Sequence, residues 1–326
     1  MKVFAPATSS HFAASVCERI GCVPGRLRER DFADGEHKIR PLESVRGEDV
    51  YVIQSLHSEA GHSVNDKLCR LVFLLGALRD AGAARLTAVI PYLAYARKDR
   101  KTRSRDPVTT RYVAAMLESS GLDRVVTLDV HNLAAYQNAF RCRTEHLEAK
   151  RLFVDHLAAR LGDESLAVVS PDVGGVKRAT AFREALQATL GRGVTDAFIN
   201  KKRSREVLTG DTVVGDVEGR IAILLDDLIS TGTTLVRAAA ACDALGARGV
   251  IAVATHGLLV DPAGEQLAES ALDAVIVTDS VAPLGSISDA FAARLTTLSV
   301  APLIGDAIRR LNEDGSLVEL LGEPED

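Results

Sequence analysis

The sequence predicts an α/β protein made of two tandem units, each with a mainly parallel sheet. Three observations support this prediction. Short apolar runs alternate with helical patterns along the whole chain, which is typical of strands joined by crossover helices. About ten such runs occur, more than one sheet holds comfortably. The length of 326 residues also suits two domains.

The predicted elements follow from these apolar patterns. The strands are Val3–Ala5, Val50–Gln54, Leu86–Pro91, Val125–Val130, Ala167–Ser170, Ala197–Ile199, Ile221–Leu225, Val250–Thr255, Ala274–Val277 and Thr297–Val300. The clearest helices are Val64–Leu78, Thr109–Ser119, Ala149–Leu161, Gly175–Leu186 and Thr234–Leu245. We place the two domains at residues 1–150 and 151–301, and we expect a final helix, 302–321, to pack back on the first.

The composition and charge of the chain argue against several classes of function. The net charge of −5 and the 4% aromatic content argue against nucleic acid as a partner. No apolar run is long enough to span a bilayer, and the N-terminus lacks a signal-peptide pattern, so we expect no membrane partner and a cytoplasmic protein. Five scattered cysteines are expected to be reduced core residues rather than a zinc site. Basic residues cluster at 97–105 and 201–205, where they favour an anionic substrate.

The most informative stretch is residues 221–234. Five apolar residues, 221–225, predict a strand that is buried on both faces. Asp226 and Asp227 follow at its carboxyl end, where open α/β sheets bind ligands. The hydroxyl-rich loop Ser230–Thr234 then opens a helix, so it offers backbone N–H groups and a positive dipole end to a phosphate. Because the acids suit sugar hydroxyls or hydrated Mg²⁺, we predict a phosphorylated sugar with a metal nearby.

The same residues also have an ordinary interpretation. Adjacent acids can end a strand and cap the next helix, and Ser and Thr are common in turns. That interpretation is adequate for any three of these residues. For the whole ordered set, a ligand site is the better explanation.

Four other segments carry weaker signals. Phe32 precedes an Asp-Gly turn and either covers a flat ligand or packs inside a hairpin. Residues 54–67 combine a polar loop with a capped helix start. Such a helix start is a second possible phosphate-binding site. The like charges of residues 97–105 are costly unless they are solvated or meet an anion. His131 ends a strand beside Asp129 and is either structural or close to a metal and the chemistry.

Five segments in one order resemble the ribose-phosphate diphosphokinases, the phosphoribosyl-diphosphate synthase family. They are Ala-Asp-Gly-Glu at 33–36, Ile-Pro-Tyr and Tyr-Ala-Arg within 90–97, Leu-Asp-Val-His at 128–131, Ser-Pro-Asp-Val-Gly-Gly at 170–175, and the stretch 221–234. The resemblance extends from about residue 30 to about residue 260. The combination is specific, although no single segment is.

The resemblance implies both a fold and a reaction. The fold is two phosphoribosyltransferase-like (Rossmann-like) domains. The reaction transfers the β,γ-diphosphoryl group of MgATP to the 1-hydroxyl of ribose 5-phosphate and releases AMP. Mg²⁺ is the implied cofactor, and self-association is implied because the nucleotide site lies at a subunit interface.

The resemblance also implies roles for individual residues. ATP binding is implied for Phe32, Asp34, Glu36, Arg97, Lys98, Asp99 and Arg105, the first three of which would hold the adenine of a neighbouring subunit. Ribose 5-phosphate binding is implied for Asp226, Asp227, Ser230, Thr231, Gly232, Thr233 and Thr234. His131 and Asp172 match positions near the metal, and Lys201, Arg203 and His131 match catalytic positions.

Three features depart from the common pattern of the family. Lys98 stands where many members carry Gln, and Ser230 stands where the common form has Asp. The loop 56–63 is longer than usual. These departures leave the nucleotide contact, the regulation by ADP and phosphate, and hexamer formation open, so a dimer-built assembly is our expectation.

Two other functions compete with this interpretation. A purine or pyrimidine phosphoribosyltransferase would explain residues 150–260 but not the basic cluster at Arg97 or His131. A non-catalytic synthase-associated subunit would be expected to interrupt the catalytic loop, whereas Lys201 and Arg203 are present without a long insertion. The diphosphokinase interpretation is therefore favoured.

Overall fold

A computed structural model describes residues 1–200 and 212–321. Strands and helices alternate through both ranges, and the sheets are mainly parallel, as predicted. The chain divides into two compact units. One contains Met1–Glu148 with the segment from Ser299 onward, and the other contains Ala149–Leu298.

The elements of the described residues are numbered in chain order. The strands are β1 (Lys2–Phe4), β2 (Leu27–Asp31), β3 (His37–Pro41), β4 (Asp49–Ile53), β5 (Arg85–Ile90), β6 (Arg124–Leu128), β7 (Arg143–Leu147), β8 (Leu166–Ser170), β9 (Thr195–Asn200), β10 (Thr212–Gly215), β11 (Ile221–Ile229), β12 (Gly249–Gly257), β13 (Ala274–Thr278) and β14 (Leu295–Leu298). The α-helices are α1 (Ser10–Ile20), α2 (Val64–Asp80), α3 (Thr109–Glu118), α4 (Leu133–Ala139), α5 (Lys150–Leu161), α6 (Val176–Leu190), α7 (Thr233–Ala244), α8 (Ala263–Ala268), α9 (Asp289–Ala292), α10 (Ala301–Asn312) and α11 (Val318–Leu321).

The first unit is built on a five-stranded parallel sheet in the order β1-β4-β5-β6-β7. Its central strands β4, β5 and β6 are mostly apolar and are buried after their first residue, as expected for strands covered on both faces. Helix α2 contributes a buried stripe that includes Leu68, Leu71, Leu75 and Leu78, which share one helical face. Strands β2 and β3 form a separate antiparallel hairpin.

The C-terminal helix α10 packs on α1 within this unit. Arg19 donates to both carboxylate oxygens of Asp306, at 3.1 and 2.7 Å. Gly305 allows the close approach, since a Cβ there would lie 2.9 Å from the Arg19 side chain. The helical segment is interrupted after Asn312, where Asp314 has a φ of 56°. One continuous helix over 302–321 was therefore a wrong prediction.

The second unit contains a seven-stranded sheet in the order β10-β9-β8-β11-β12-β13-β14. Within this sheet, as far as the structure describes it, only β10 is antiparallel to its neighbour. The chain moves outward in one direction from β8 to β9 and β10, then returns to place β11 on the other side of β8. This reversal of strand order is the topological switch point at which open α/β sheets form their ligand crevice.

Two further predictions concern the whole chain. Among the described residues, no helix combines the length and apolar character needed to cross a membrane. The cysteines were predicted as core residues, but only Cys17 and Cys242 are buried; Cys22 and Cys142 are half-buried, and Cys69 is exposed.

Candidate active site

The two adjacent acids of the predicted sugar site lie inside a strand. The sequence predicts that β11 ends before Asp226, but the strand continues to Ile229. The reason is that β12 goes on pairing with it, through Asp226 with Ala254 and finally Ile229 with Gly257. The acids are therefore fixed by sheet hydrogen bonds. Asp227 is buried and Asp226 is half-buried.

Arg178 of α6 supplies a positive charge to both acids. Its Nη1 donates to Oδ1 of Asp227 at 2.9 Å and to Oδ1 of Asp226 at 3.4 Å. The same Asp226 oxygen accepts the backbone N–H of Asp227 at 2.8 Å. Burial is the largest cause that raises the pKa of Asp226 to about 7, and the charge of Asp227 adds to it while Arg178 opposes it. A ligand that donates hydrogen bonds here would favour the ionised carboxylate.

The predicted phosphate loop, Ser230–Thr234, directly follows β11 and runs into α7. Gly232 caps α7 with a φ of +78°, and a Cβ there would lie 3.1 Å from Leu267 of α8. Thr233 and Thr234 form the first turn of α7 rather than the loop before it. The hydroxyls of Thr231 and Thr233 lie 3.2 Å apart. The first N–H groups of α7 and these hydroxyls are thus available on one short turn, which suits a phosphate.

The loop is held in place by the segment after β12. Leu259 donates its N–H to the carbonyl of Ile229 at 3.1 Å, and Val260 donates to the carbonyl of Ser230 at 3.0 Å. These bonds continue the β11–β12 ladder beyond the strand ends. The start of the phosphate loop therefore has a fixed backbone.

Asp172 lies at the end of β8, the strand next to β11. Its Oδ1 accepts the N–H of Gly175 at 3.0 Å, and the Ser170 hydroxyl donates to the Asp172 carbonyl at 2.6 Å. The side chain is exposed. Because β8 and β11 are parallel neighbours, Asp172 and the acids of β11 belong to the same carboxyl edge, at the switch point of the sheet.

The predicted metal site can be compared with the side chains that could ligate a metal ion. Within residues 1–200 and 212–321, no three His, Cys, Asp or Glu side chains form a group that could hold a metal by themselves. Mg²⁺ usually retains waters and is held by one or two carboxylates together with substrate phosphates. An exposed single carboxylate such as Asp172 fits a metal that arrives with a nucleotide, rather than a permanently resident one.

The predicted adenine contacts lie on the β2–β3 hairpin in the first unit. Phe32 is 37% exposed, and the Arg30 guanidinium lies 4.8 Å above its ring, so the ring is on the tip and outside the core. Asp34 accepts the N–H of Glu36 at 3.1 Å and shapes the turn. Arg70 of α2 holds the hairpin by ion pairs to Glu29, at 3.7 Å, and to Asp31.

The remaining predicted nucleotide residues follow β5. Arg97, Lys98 and Arg105 are exposed, and Arg105 has a φ of 71°. Lys98 donates its N–H to the Tyr95 carbonyl at 3.1 Å, which closes a turn at the loop start. This geometry leaves their charged ends at the surface, where they can meet an anion.

The structure brings Asp99 next to the segment that carries His131. Oδ2 of Asp99 accepts a hydrogen bond from the Asn132 side chain at 2.5 Å. Asn132 also caps α4 by accepting the N–H of Ala135 at 3.2 Å. His131 is exposed at the end of β6, adjacent to β5. The first unit thus groups Asp99 and His131 at one sheet edge.

Family models and named relatives match both halves of the chain. A family model described as the N-terminal domain of ribose phosphate pyrophosphokinase matches residues 1–121, and one described as the phosphoribosyl synthetase-associated domain matches residues 194–322. The chain is 38% identical to the ribose-phosphate pyrophosphokinase of Listeria ivanovii over 98% of its own length and 96% of the relative. This chain belongs to the ribose-phosphate pyrophosphokinase family.

Further relatives agree with this membership. The ribose-phosphate pyrophosphokinase of Rhodopirellula baltica is 37% identical over 99% of both chains. The crystal structure of phosphoribosylpyrophosphate synthetase from Mycobacterium smegmatis matches with a TM-score of 0.86 and 38% identity, covering 96% of this chain and 99% of that one. The predicted family, enzyme class and fold class are confirmed. The phosphoribosyltransferase alternative is not supported, since the pyrophosphokinase similarity spans both halves of the chain.

Two predicted catalytic residues lie outside the described structure, and three supporting residues were not predicted. Lys201 and Arg203 lie outside the described residues, so their catalytic role stays a prediction. Arg178 and Asn132 contact predicted site residues, and Arg70 holds the hairpin that carries three others, but none of the three carried a signal of its own in the sequence. Arg178 is the one that touches both acids of the sugar motif.

Proposed function

We propose that this member of the ribose-phosphate pyrophosphokinase family transfers the β,γ-diphosphoryl group of MgATP to the 1-hydroxyl of ribose 5-phosphate, giving 5-phosphoribosyl 1-diphosphate and AMP in the cytoplasm. The observation that carries the proposal is the arrangement at the β8–β11 switch point. An acid pair and a hydroxyl-rich helix start stand there at one sheet edge. The similarity to named pyrophosphokinases over the full chain supports the same reaction.

The sugar side of the reaction is assigned to the second unit. Asp226 and Asp227 accept hydrogen bonds from the ribose hydroxyls, because ionised carboxylates are pure acceptors. The turn of Ser230, Thr231, Gly232, Thr233 and Thr234 binds the 5-phosphate with its N–H groups and hydroxyls. Gly232 is needed because its φ of +78° is strained for any side chain, and the space beside it is filled by Leu267.

The nucleotide side is assigned to the first unit. Arg97, Lys98 and Arg105 bind the ATP phosphates, which suit guanidinium and ammonium donors. The hairpin residues Phe32, Asp34 and Glu36 contact the adenine of a neighbouring subunit, so self-association forms part of this proposal. Asp99 is held by Asn132 and contacts the nucleotide through its remaining acceptor capacity.

Mg²⁺ is the proposed cofactor and enters with ATP. It would neutralise charge on the transferred phosphates. In this chain, His131 and Asp172 are the residues proposed to meet the metal–phosphate group. Asp172 is exposed and held in place by the turn Ser170–Gly175, so its carboxylate direction is fixed before the nucleotide arrives.

The chemistry is a phosphoryl-type displacement. The 1-hydroxyl oxygen of the sugar attacks the β-phosphorus, the bond from that phosphorus to the oxygen bridging to the α-phosphate breaks, and AMP leaves. The hydroxyl proton is released to a base or to solvent. Negative charge spreads over phosphate oxygens, so positioning and positive charge are the main catalytic contributions. Lys201 and Arg203 are proposed to supply that charge, and His131 is proposed to act at the metal–phosphate group.

Phosphorus NMR of the enzyme with Mg²⁺, ATP and ribose 5-phosphate tests the proposal. We expect AMP and a sugar 1-diphosphate to appear together, and Lys201→Ala to lose at least about a hundredfold in rate, as for other charge-stabilising groups. Lys2→Ala is a matched control, since Lys2 is paired with Glu43 away from the proposed site residues. ADP or free phosphate in place of AMP would refute diphosphoryl transfer. Binding of both substrates without turnover would favour a regulatory subunit.

A further inference from the structure

Arg178 occupies the point where α6 meets the acids of β11. It is the third residue of α6, which begins directly after the turn that carries Asp172. Its side chain is 30% exposed, whereas the Asp227 side chain is 6% exposed and that of Asp226 is 26% exposed. The guanidinium therefore reaches from a partly open position toward two largely covered carboxylates.

One nitrogen of Arg178 serves both acids. The distances from Nη1 are 2.9 Å to Asp227 and 3.4 Å to Asp226. An Nη group carries two N–H bonds, and the two carboxylates account for both. Nη1 is thus directed at the protein's own acids, and any influence of this atom on a substrate passes through them.

Asp226 and Asp227 need a positively charged partner. Two adjacent carboxylates in a covered position repel each other and lose solvation, so one of them tends to take up a proton. The raised pKa of Asp226 is in line with this expectation. A protonated or rotated acid offers fewer acceptor sites to a sugar diol.

We propose that Arg178 is a positioning residue of the ribose site, which fixes Asp226 and Asp227 as hydrogen-bond acceptors for the sugar hydroxyls of ribose 5-phosphate. This inference rests on the proposed function of the acid pair. It adds a residue outside the acid–loop motif, 48 positions before Asp226 in the chain. It also gives α6 a part in substrate binding through the orientation of the strand acids.

The test measures KM for ribose 5-phosphate and for ATP in Arg178→Gln, Arg178→Lys, Asp227→Asn and the double variant Arg178→Gln/Asp227→Asn. We expect Arg178→Gln to raise KM for ribose 5-phosphate about tenfold or more, while KM for ATP changes less than about twofold. Arg178→Lys should recover part of the loss. Arg178→Gln should have a smaller effect in the Asp227→Asn background than in the parent, because the residues act together.

Arg151→Gln is the matched control. Arg151 lies in the same unit, is 71% exposed and pairs at 3.8 Å with Asp155 on its own helix. We expect parent-like values of both KM and the thermal midpoint for this variant.

The possible results distinguish a failure of the Arg178 inference from a failure of the proposed function on which it rests. If Asp227→Asn leaves KM for ribose 5-phosphate unchanged, the acid pair is not the sugar site and both proposals fail. If Asp227→Asn raises KM but Arg178→Gln does not, or if the two effects simply multiply, the inference about Arg178 is overturned alone. If Arg178→Gln does not fold, Arg178→Lys decides: a KM equal to the parent's overturns the inference, and a selective rise supports it.

Discussion

Replacing Asp226 by Asn removes one of two adjacent covered carboxylates while keeping the shape of the side chain. We expect the Asp226→Asn variant to be more stable than the parent at pH 8, although it should bind ribose 5-phosphate less well. The amide oxygen can still accept the N–H of Asp227, which lies 2.8 Å from Oδ1 in the parent. Arg178 retains its closer partner, Asp227, at 2.9 Å.

The magnitude follows from the pKa of Asp226. Burial raises it from 3.8 to about 7. The folded parent therefore binds a proton that the unfolded chain releases, and its stability falls as the pH rises from about 4 to about 7. At ~1.4 kcal/mol for each pKa unit, the upper limit of this cost at pH 8 is ~4 kcal/mol. Because Asp227 shares the titration, we expect Asp226→Asn to gain ~2 kcal/mol.

Urea unfolding of the parent and the variant at pH 5 and pH 8 measures this difference. The gain at pH 5 should be less than half of that at pH 8, since the parent acid is still largely protonated in the folded state. Asp216→Asn is the control with the opposite sign: a hydrogen bond from Arg220 lowers the pKa of Asp216, so its removal should not stabilise the protein at pH 8. An Asp226→Asn variant no more stable than the parent at pH 8 would refute the reasoning.

Three further outcomes are expected. Gly232→Val combines a φ of +78° with a Cβ 3.1 Å from Leu267, so steady-state kinetics should show KM for ribose 5-phosphate raised about tenfold or more, and an unchanged KM would contradict the role of the turn. Arg70→Gln removes the ion pair to Glu29 and loosens the hairpin; KM for ATP should rise several-fold and KM for ribose 5-phosphate should not. Ribose 5-phosphate binding at pH 7 should release a fraction of a proton, because hydroxyl donors lower the pKa of Asp226; calorimetry in buffers of different ionisation enthalpy measures this, and equal heats would exclude it.

The apolar strands could be predicted from the sequence, and the polar ones could not. Strands β4, β5, β8 and β13 are short apolar runs that match their predicted positions within one or two residues. Strand β2 contains Leu27 as its only apolar residue, so no period of two is visible in it. Its hairpin is attached to α2 through Arg70, a contact between residues about forty positions apart. Polar contacts between residues so far apart in the chain leave no pattern in the local sequence.

The break in the last helix has a similar explanation. Arg85 donates to the carboxylate of Asp314 at 2.6 Å and to the carbonyl of Asn312 at 3.1 Å. These bonds hold the chain just after α10 in a turn, and Gly315 follows. The competing partner, Arg85, is distant in sequence, so helical propensity alone could not predict the turn.

At the candidate site, the sequence motif identified the proposed ligand-binding residues but not the side chains that contact them. The order of acids, hydroxyls and Gly232 can be recognised within fourteen residues because these residues stand close together in the chain. Arg178 cannot be recognised in this way. A basic residue early in a helix is ordinary, and its contact with the acids arises only because β8 and β11 become neighbours in the sheet.

The position of the acids inside β11 connects stability with binding. A carboxylate on a free loop could turn toward solvent, whereas both acids here belong to a strand that is hydrogen-bonded on to β12 as far as Ile229. The sheet thus holds two like charges where they repel, and Arg178 offsets only part of this cost. In the proposed complex, hydroxyl donors from the sugar would add hydrogen bonds to these acids, so part of the folding free energy lost at this edge would be regained on binding. On this proposal, the same residues that lower the stability of the free protein at neutral pH would favour the sugar-bound state.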